Sequence, residues 1–187
     1  TYYAGTVNDE KSDYTIKYAG TTAVDYTFYL YSALNLRASS VGVNDAMTFS
    51  QVQKTSAAIT SMGANSDTKS LTNYKNDVNE EQSNYTIKYS GTTVIDRTAY
   101  FYYTASGSAR ASSATVNQKM TASHTAKTLS AAPTSLDATS DTKSITYYQG
   151  AANDEKSDYT VKYAGTTPVD YTFYFYGTGT GVRAASA

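Results

Sequence analysis

The residues that could carry chemistry are few. His124 is the one histidine, and there is no cysteine, so neither a disulfide framework nor a thiolate metal site exists. His124 sits at the position held by Gln51 in a matching segment, and no Ser-His-Asp or His-metal arrangement recurs around it. A lone histidine in a Ser/Thr-rich strand reads as a surface residue.

Three acidic loops offer clustered oxygen ligands: Asp9, Glu10 and Asp13; Glu80 and Glu81; and Asp154, Glu155 and Asp158. Calcium takes six to eight oxygens, and such loops make weak candidate sites. Lys11 and Lys156 lie inside the clusters and no glycine does, so solvated loops are the expected reading and no cofactor is required. Asn84-Tyr85-Thr86 matches an N-glycosylation acceptor, but Asp13 and Asp158 replace the asparagine elsewhere, and we read the match as coincidence.

Aromatic chemistry is the dominant signal: 20 tyrosines against five phenylalanines and no tryptophan. Tyr29, Tyr31, Tyr100, Tyr102, Tyr174 and Tyr176 alternate with an apolar set (Tyr26, Phe28 and Leu30 in one segment, Tyr171, Phe173 and Phe175 in another). Aromatic rings on both faces of a strand imply packing on both sides. A second sheet layer, a neighbouring subunit or stacking on glycan rings would each supply it. Those six tyrosines are therefore the interface or glycan candidates.

These residues are positioned by an internal repeat. VNDEKSDYTIKYAGTTAVDYTFYLY from Val7 returns as VNEEQSNYTIKYSGTTVIDRTAYFYY from Val78 and as ANDEKSDYTVKYAGTTPVDYTFYFY from Ala152. Tyr14, Tyr85 and Tyr159 correspond, giving periods of 71 and 74 residues. The expected units are 1–71, 72–145 and a truncated third at 146–187. In the third copy Ala187 is reached before any match to Thr115–Thr128, so an open strand edge is expected there.

Tyr and Thr suit pleated, half-buried surfaces, and Leu, Glu and Lys are too scarce for a helical protein. The fold class is all-β, built from tandem copies of a small antiparallel sheet or sandwich. Each copy gives a TYY-type strand, a YTIKY strand, a VDYTFYLY strand and a fourth beginning near Arg37, Arg110 and Arg183. Face matching pairs Lys17 with Asp25, Lys88 with Asp96 and Lys162 with Asp170, since a one-residue slip would invert every side chain. Tyr14, Ile16, Tyr18, Phe28, Phe173 and Phe175 are the expected core. Residues 44–62 have a helical spacing of apolar positions, but Pro133 stands where the first copy has Ile59. We therefore read 43–55 and 116–128 as strands.

The net charge of −1 points to neither nucleic acid nor an acidic membrane, and no apolar run is long enough to span a bilayer. The expected function is that of a non-enzymatic extracellular or cell-surface protein. Its role is structural or adhesive, and its partner is itself, assembling head to tail into filaments or a surface layer. Alternatives are a carbohydrate-binding module using exposed tyrosines, and a length of a longer surface stalk or fibre.

Overall fold

The structure, a computed structural model, describes residues 1–55, 59, 62–127, 131–178 and 181–184. Two compact units divide the chain, Thr1–Ile95 and Asp96–Ala187, and they do not follow the sequence periods. Both are all-β and antiparallel.

The first unit contains β1 (Tyr2–Ala4), β2 (Lys11–Ala19), β3 (Thr22–Tyr31), β4 (Met47–Gln53), β5 (Thr68–Lys75) and β6 (Gln82–Ser90), hydrogen-bonded in chain order. β7 (Thr93–Thr104) leads into the second unit. There β8 (Gly107–Arg110) and β9 (Met120–Ala126) both pair with β7, and β10 (Thr142–Gln149), β11 (Lys156–Ala164) and β12 (Thr167–Phe173) follow β9 in order. A separate ribbon joins β13 (Phe175–Tyr176) to β14 (Val182–Arg183). Among the described residues no helix is long and apolar enough to cross a membrane.

The YTIKY hairpin has the register expected from its alternation. Ile16 lies opposite Tyr26, Tyr14 opposite Phe28 and Lys17 opposite Asp25; in the second unit Lys162 lies opposite Asp170. Lys88 and Asp96 belong to different units; within the second, Asp96 takes Lys143 as its ion-pair partner at 3.0 Å. Threonine is used where two hydroxyls meet across strands. Thr72 and Thr86 are 2.9 Å apart, Thr146 and Thr160 2.8 Å, and Thr98 and Thr125 2.8 Å, all in direct register.

The segments read as strands at 43–55 and 116–128 contain β4 and β9; Thr128 lies outside the described residues. The fourth strand near each arginine is corrected. Leu36 forms a single bridge to Tyr31, β8 ends at Arg110, and β14 ends at Arg183. Each arginine closes a short return rather than opening a strand, and after Arg37 the chain makes a 3-10 turn at Ala38–Ser40.

The expected sandwich partner is corrected too. Among the described residues no second large sheet covers the apolar face. In the first unit Ile59, from the connection between β4 and β5, packs on Phe28 and Leu30. In the second, Ala132 and Leu136, from the connection between β9 and β10, pack on Ala99, Phe101, Ala122 and Ile145. A connection laid over a sheet excludes water as a second layer would, and needs no further strands.

Core membership follows from this cover. Phe28 is 3 % exposed and Leu30 fully buried, and Tyr14 and Ile16 are half-buried. Tyr18, Phe173 and Phe175, expected inside, are 55 %, 49 % and 62 % exposed. Tyr18 is at the hairpin tip, beyond the reach of the cover. Phe173 lies on β12, the last strand of its sheet, and Phe175 on β13, which among the described residues has a strand, β14, on one side alone.

Candidate functional site

The acidic loops are tight hairpin turns. Gly5 and Gly150 hold φ near +127° and +125°, and Asn76 holds the matching place at 84°. A Cβ at Gly5 would lie 2.7 Å from the Asp9 carbonyl oxygen, and one at Gly150 2.5 Å from that of Asp154. Asn8, Asn79 and Asn153 are left-handed as well, a conformation asparagine tolerates. Backbone bonds from Asp9 to Thr6, Glu80 to Asp77 and Asp154 to Ala151 close the three turns at 2.9, 3.0 and 3.1 Å.

Several carboxylates of the acidic segments have structural partners. Asp13 is gripped by Arg37, with Nε at 2.8 Å and Nη2 at 2.6 Å. Asp158 is held in the same way by Arg183, both contacts at 2.8 Å. Glu81 accepts the Met47 N–H at 3.0 Å and Glu155 the Met120 N–H at 2.8 Å. Asp9, Glu10, Glu80 and Asp154 are exposed. Among the described residues no group of three or more His, Asp or Glu is arranged to hold a metal ion.

The arginine grip was not expected from sequence. Arg37 lies 4.8 Å over the Phe28 ring, and Arg183 4.7 Å over Phe173. Arg37 and Arg110 also reach matching carbonyls, Ile59 at 3.4 Å and Pro133 at 2.7 Å, tying the covering connection to the sheet. The available signal was the arginine's recurrence at a near-constant distance from the VDYTFYLY strand. Asn84, in the acceptor motif, is buried and donates to Asn73 Oδ1 at 2.9 Å.

The candidate tyrosines divide. Tyr31 and Tyr176 donate to the carbonyls of Ser12 and Ser157, both at 2.7 Å. Tyr29 and Tyr174 share hydrogen bonds with Thr15 and Thr160 at 3.2 and 3.3 Å. Tyr31 and Tyr102 are buried, Tyr29, Tyr100 and Tyr176 are half-buried, and Tyr174 is exposed. Burial pushes the Tyr31 hydroxyl up to about 12. Beside Tyr29 a groove of about 490 Å³ runs between two hairpin turns, lined by Tyr3, Asp9, Lys11 and Asn79 among others.

His124 is not at the surface. It is 1 % exposed, with Nδ1 2.9 Å from the Ser135 carbonyl and Nε2 2.9 Å from Thr142 Oγ1. Gln51 makes the matching bridge, from Gly63 O at 2.8 Å to Thr68 Oγ1 at 3.1 Å. The histidine ties a connection to its strand, and burial lowers its pKa.

The remaining unsatisfied feature is β12. An aromatic ladder crosses three strands, with Tyr147 4.6 Å from Tyr159 and Tyr159 6.1 Å from Phe173, matching Tyr2, Tyr14 and Phe28 at 4.4 and 6.0 Å. On β3 the ladder meets β4. On β12 it stops at open solvent, and every residue from Thr167 to Phe175 is exposed. No protein family, curated protein or solved structure matches this chain.

Proposed function

We propose that the chain is a non-enzymatic structural or adhesive repeat protein of the extracellular space or cell surface. Its tandem copies assemble head to tail, through strand edges, into filaments or a surface layer. The observation that carries this reading is the outer edge of β12 and β13, where Phe173 and Phe175 lie exposed although Phe28 and Leu30, at the matching places, are buried. An aromatic, unpaired strand edge templates pairing with another chain. A contact between unlike edges does not close on itself and gives open fibres.

Light scattering and negative-stain microscopy across a concentration series test the proposal. The expected result is growth in particle length with concentration, abolished by Phe173→Asp with Phe175→Asp. A strictly monomeric chain at every concentration overturns it.

A second reading, carbohydrate binding, is favoured by the groove beside Tyr29, where the Tyr3 ring is exposed among polar side chains. Saturable glycan binding lost in Tyr3→Ala and Tyr29→Ala would support it. The third reading, a length of a longer stalk or fibre, uses the same edge contacts within one polypeptide.

A further inference from the structure

We infer that the outer edge of β12 and β13, over Tyr171–Tyr176, is the docking site for one extended strand of the β4/β9 type. This rests on the edge-assembly reading and names the strand that the edge takes.

Two places within the chain show what covers a matching edge. On β3, Gln53 stands opposite Tyr26, Gln51 opposite Phe28 and Phe49 opposite Leu30. On β7, Ala126 stands opposite Arg97, His124 opposite Ala99 and Ala122 opposite Phe101. Both ladders shift register at the same place, between Leu30 and Tyr31 and between Phe101 and Tyr102. Residues 24–31 and 169–176 differ only at Leu30 and Phe175, so β12 and β13 offer the side chains that β3 offers.

The recurring contacts define the occupant. Its second residue is threonine, because Thr48 and Thr121 each donate a hydroxyl to a strand carbonyl, Leu30 O at 3.2 Å and Phe101 O at 3.1 Å. The matching acceptor is the Phe175 carbonyl. The third residue, Phe49 or Ala122, stands opposite the Leu30 or Phe101 position. The fifth residue, Gln51 or His124, lies across from the Phe28 or Ala99 position and would lie across from Phe173. Pro168 sits in β12 before this stretch, at a place whose counterpart Ala23 has no partner on β4, so the missing proline N–H does not obstruct docking.

The change at Asp170 agrees with an unoccupied edge. Asp25 and Asp96 are ion-paired with Lys69 and Lys143, each on the strand beyond the covering one, whereas Asp170 pairs with Lys162 on its own hairpin at 3.2 Å.

The test is fluorescence anisotropy of a labelled peptide of residues 118–127 titrated with the full 187-residue chain. The expected result is saturable binding, weakened at least about tenfold by Phe173→Ser in the protein or by valine in place of the peptide's Thr121. N-methylation of alternate peptide N–H groups should abolish binding in one phase and spare it in the other, since one set of amides faces the edge. Absent binding, equal binding of a scrambled peptide, or indifference to both Phe173→Ser and the N-methyl phase overturns the inference. Peptide binding by a chain that never self-associates retains the docking site and overturns the assembly proposal; self-association without peptide binding does the reverse.

Discussion

Lys69 on β5 holds the carboxylate of Asp25 on β3, although Asp25 stands directly opposite Lys17 in the β2–β3 ladder. β4 ends at Gln53, opposite Tyr26, so Asp25 lies just past its end and Lys69 reaches across. Lys143 does the same to Asp96, whose side chain is only 8 % exposed. Removing a cation from a buried carboxylate leaves a charge out of water without compensation. Lys143→Met should therefore destabilise the protein by about 2–3 kcal/mol in denaturant unfolding, whereas Asp170→Asn, at an exposed pair, should change it by less than about 0.5 kcal/mol. Equal costs would show that burial does not govern these pairs.

Phe28 and Phe173 occupy matching positions with opposite environments. Phe28→Ala removes a buried ring beneath Ile59 and Arg37 and should cost about 3–5 kcal/mol. Phe173→Ala should cost about 1 kcal/mol or less in dilute monomer, because the ring already meets water. Chemical melts of both variants decide it, and a large loss at Phe173 would place that ring in a covered state.

His124 makes stability depend on pH. Burial lowers its folded pKa below the ordinary value of 6.5, so the unfolded chain binds the proton more readily. Its contribution is complete above pH 6.5 and declines as pH falls through 6.5 toward the lower folded value. His124→Gln, which copies the Gln51 bridge, should remove this part of the pH dependence while keeping the fold. Thermal melts between pH 7.5 and 5 are the measurement, and an unchanged slope in the variant would exclude the histidine.

Gln53 is fully buried and both its amide atoms lack hydrogen-bond partners among the described residues; Ala126 holds the matching place. A buried amide without partners carries its desolvation cost uncompensated. Gln53→Met should stabilise the protein by about 1–2 kcal/mol, seen as a shift in the urea midpoint with an unchanged slope.

The identity of the YTIKY and VDYTFYLY strands and the register of their hairpin were legible in the residues, because each depends on near neighbours. Alternation along Tyr14–Tyr18 and Asp25–Phe28, with a short Gly-containing turn between, leaves one pairing that keeps both apolar sets on a single face. Direct contact within ten or so residues needs no knowledge of the rest of the chain. The Asn and Gly positions of the acidic turns were visible too, although their role is backbone geometry and not ligation.

What covers each face was decided only by the tertiary structure. Arg37 meets Asp13 across 24 residues, Lys69 meets Asp25 across 44, and Ile59 reaches Phe28 from a connection with no regular pattern. None of these pairs shares a strand period, and each depends on where a loop comes to rest after the sheet has formed. The sharpest case is the pair Phe28 and Phe173. Their flanking residues are the same, yet one is buried and the other is not. Burial belongs to the neighbouring strand and the covering connection, and no local sequence encodes whether they are there.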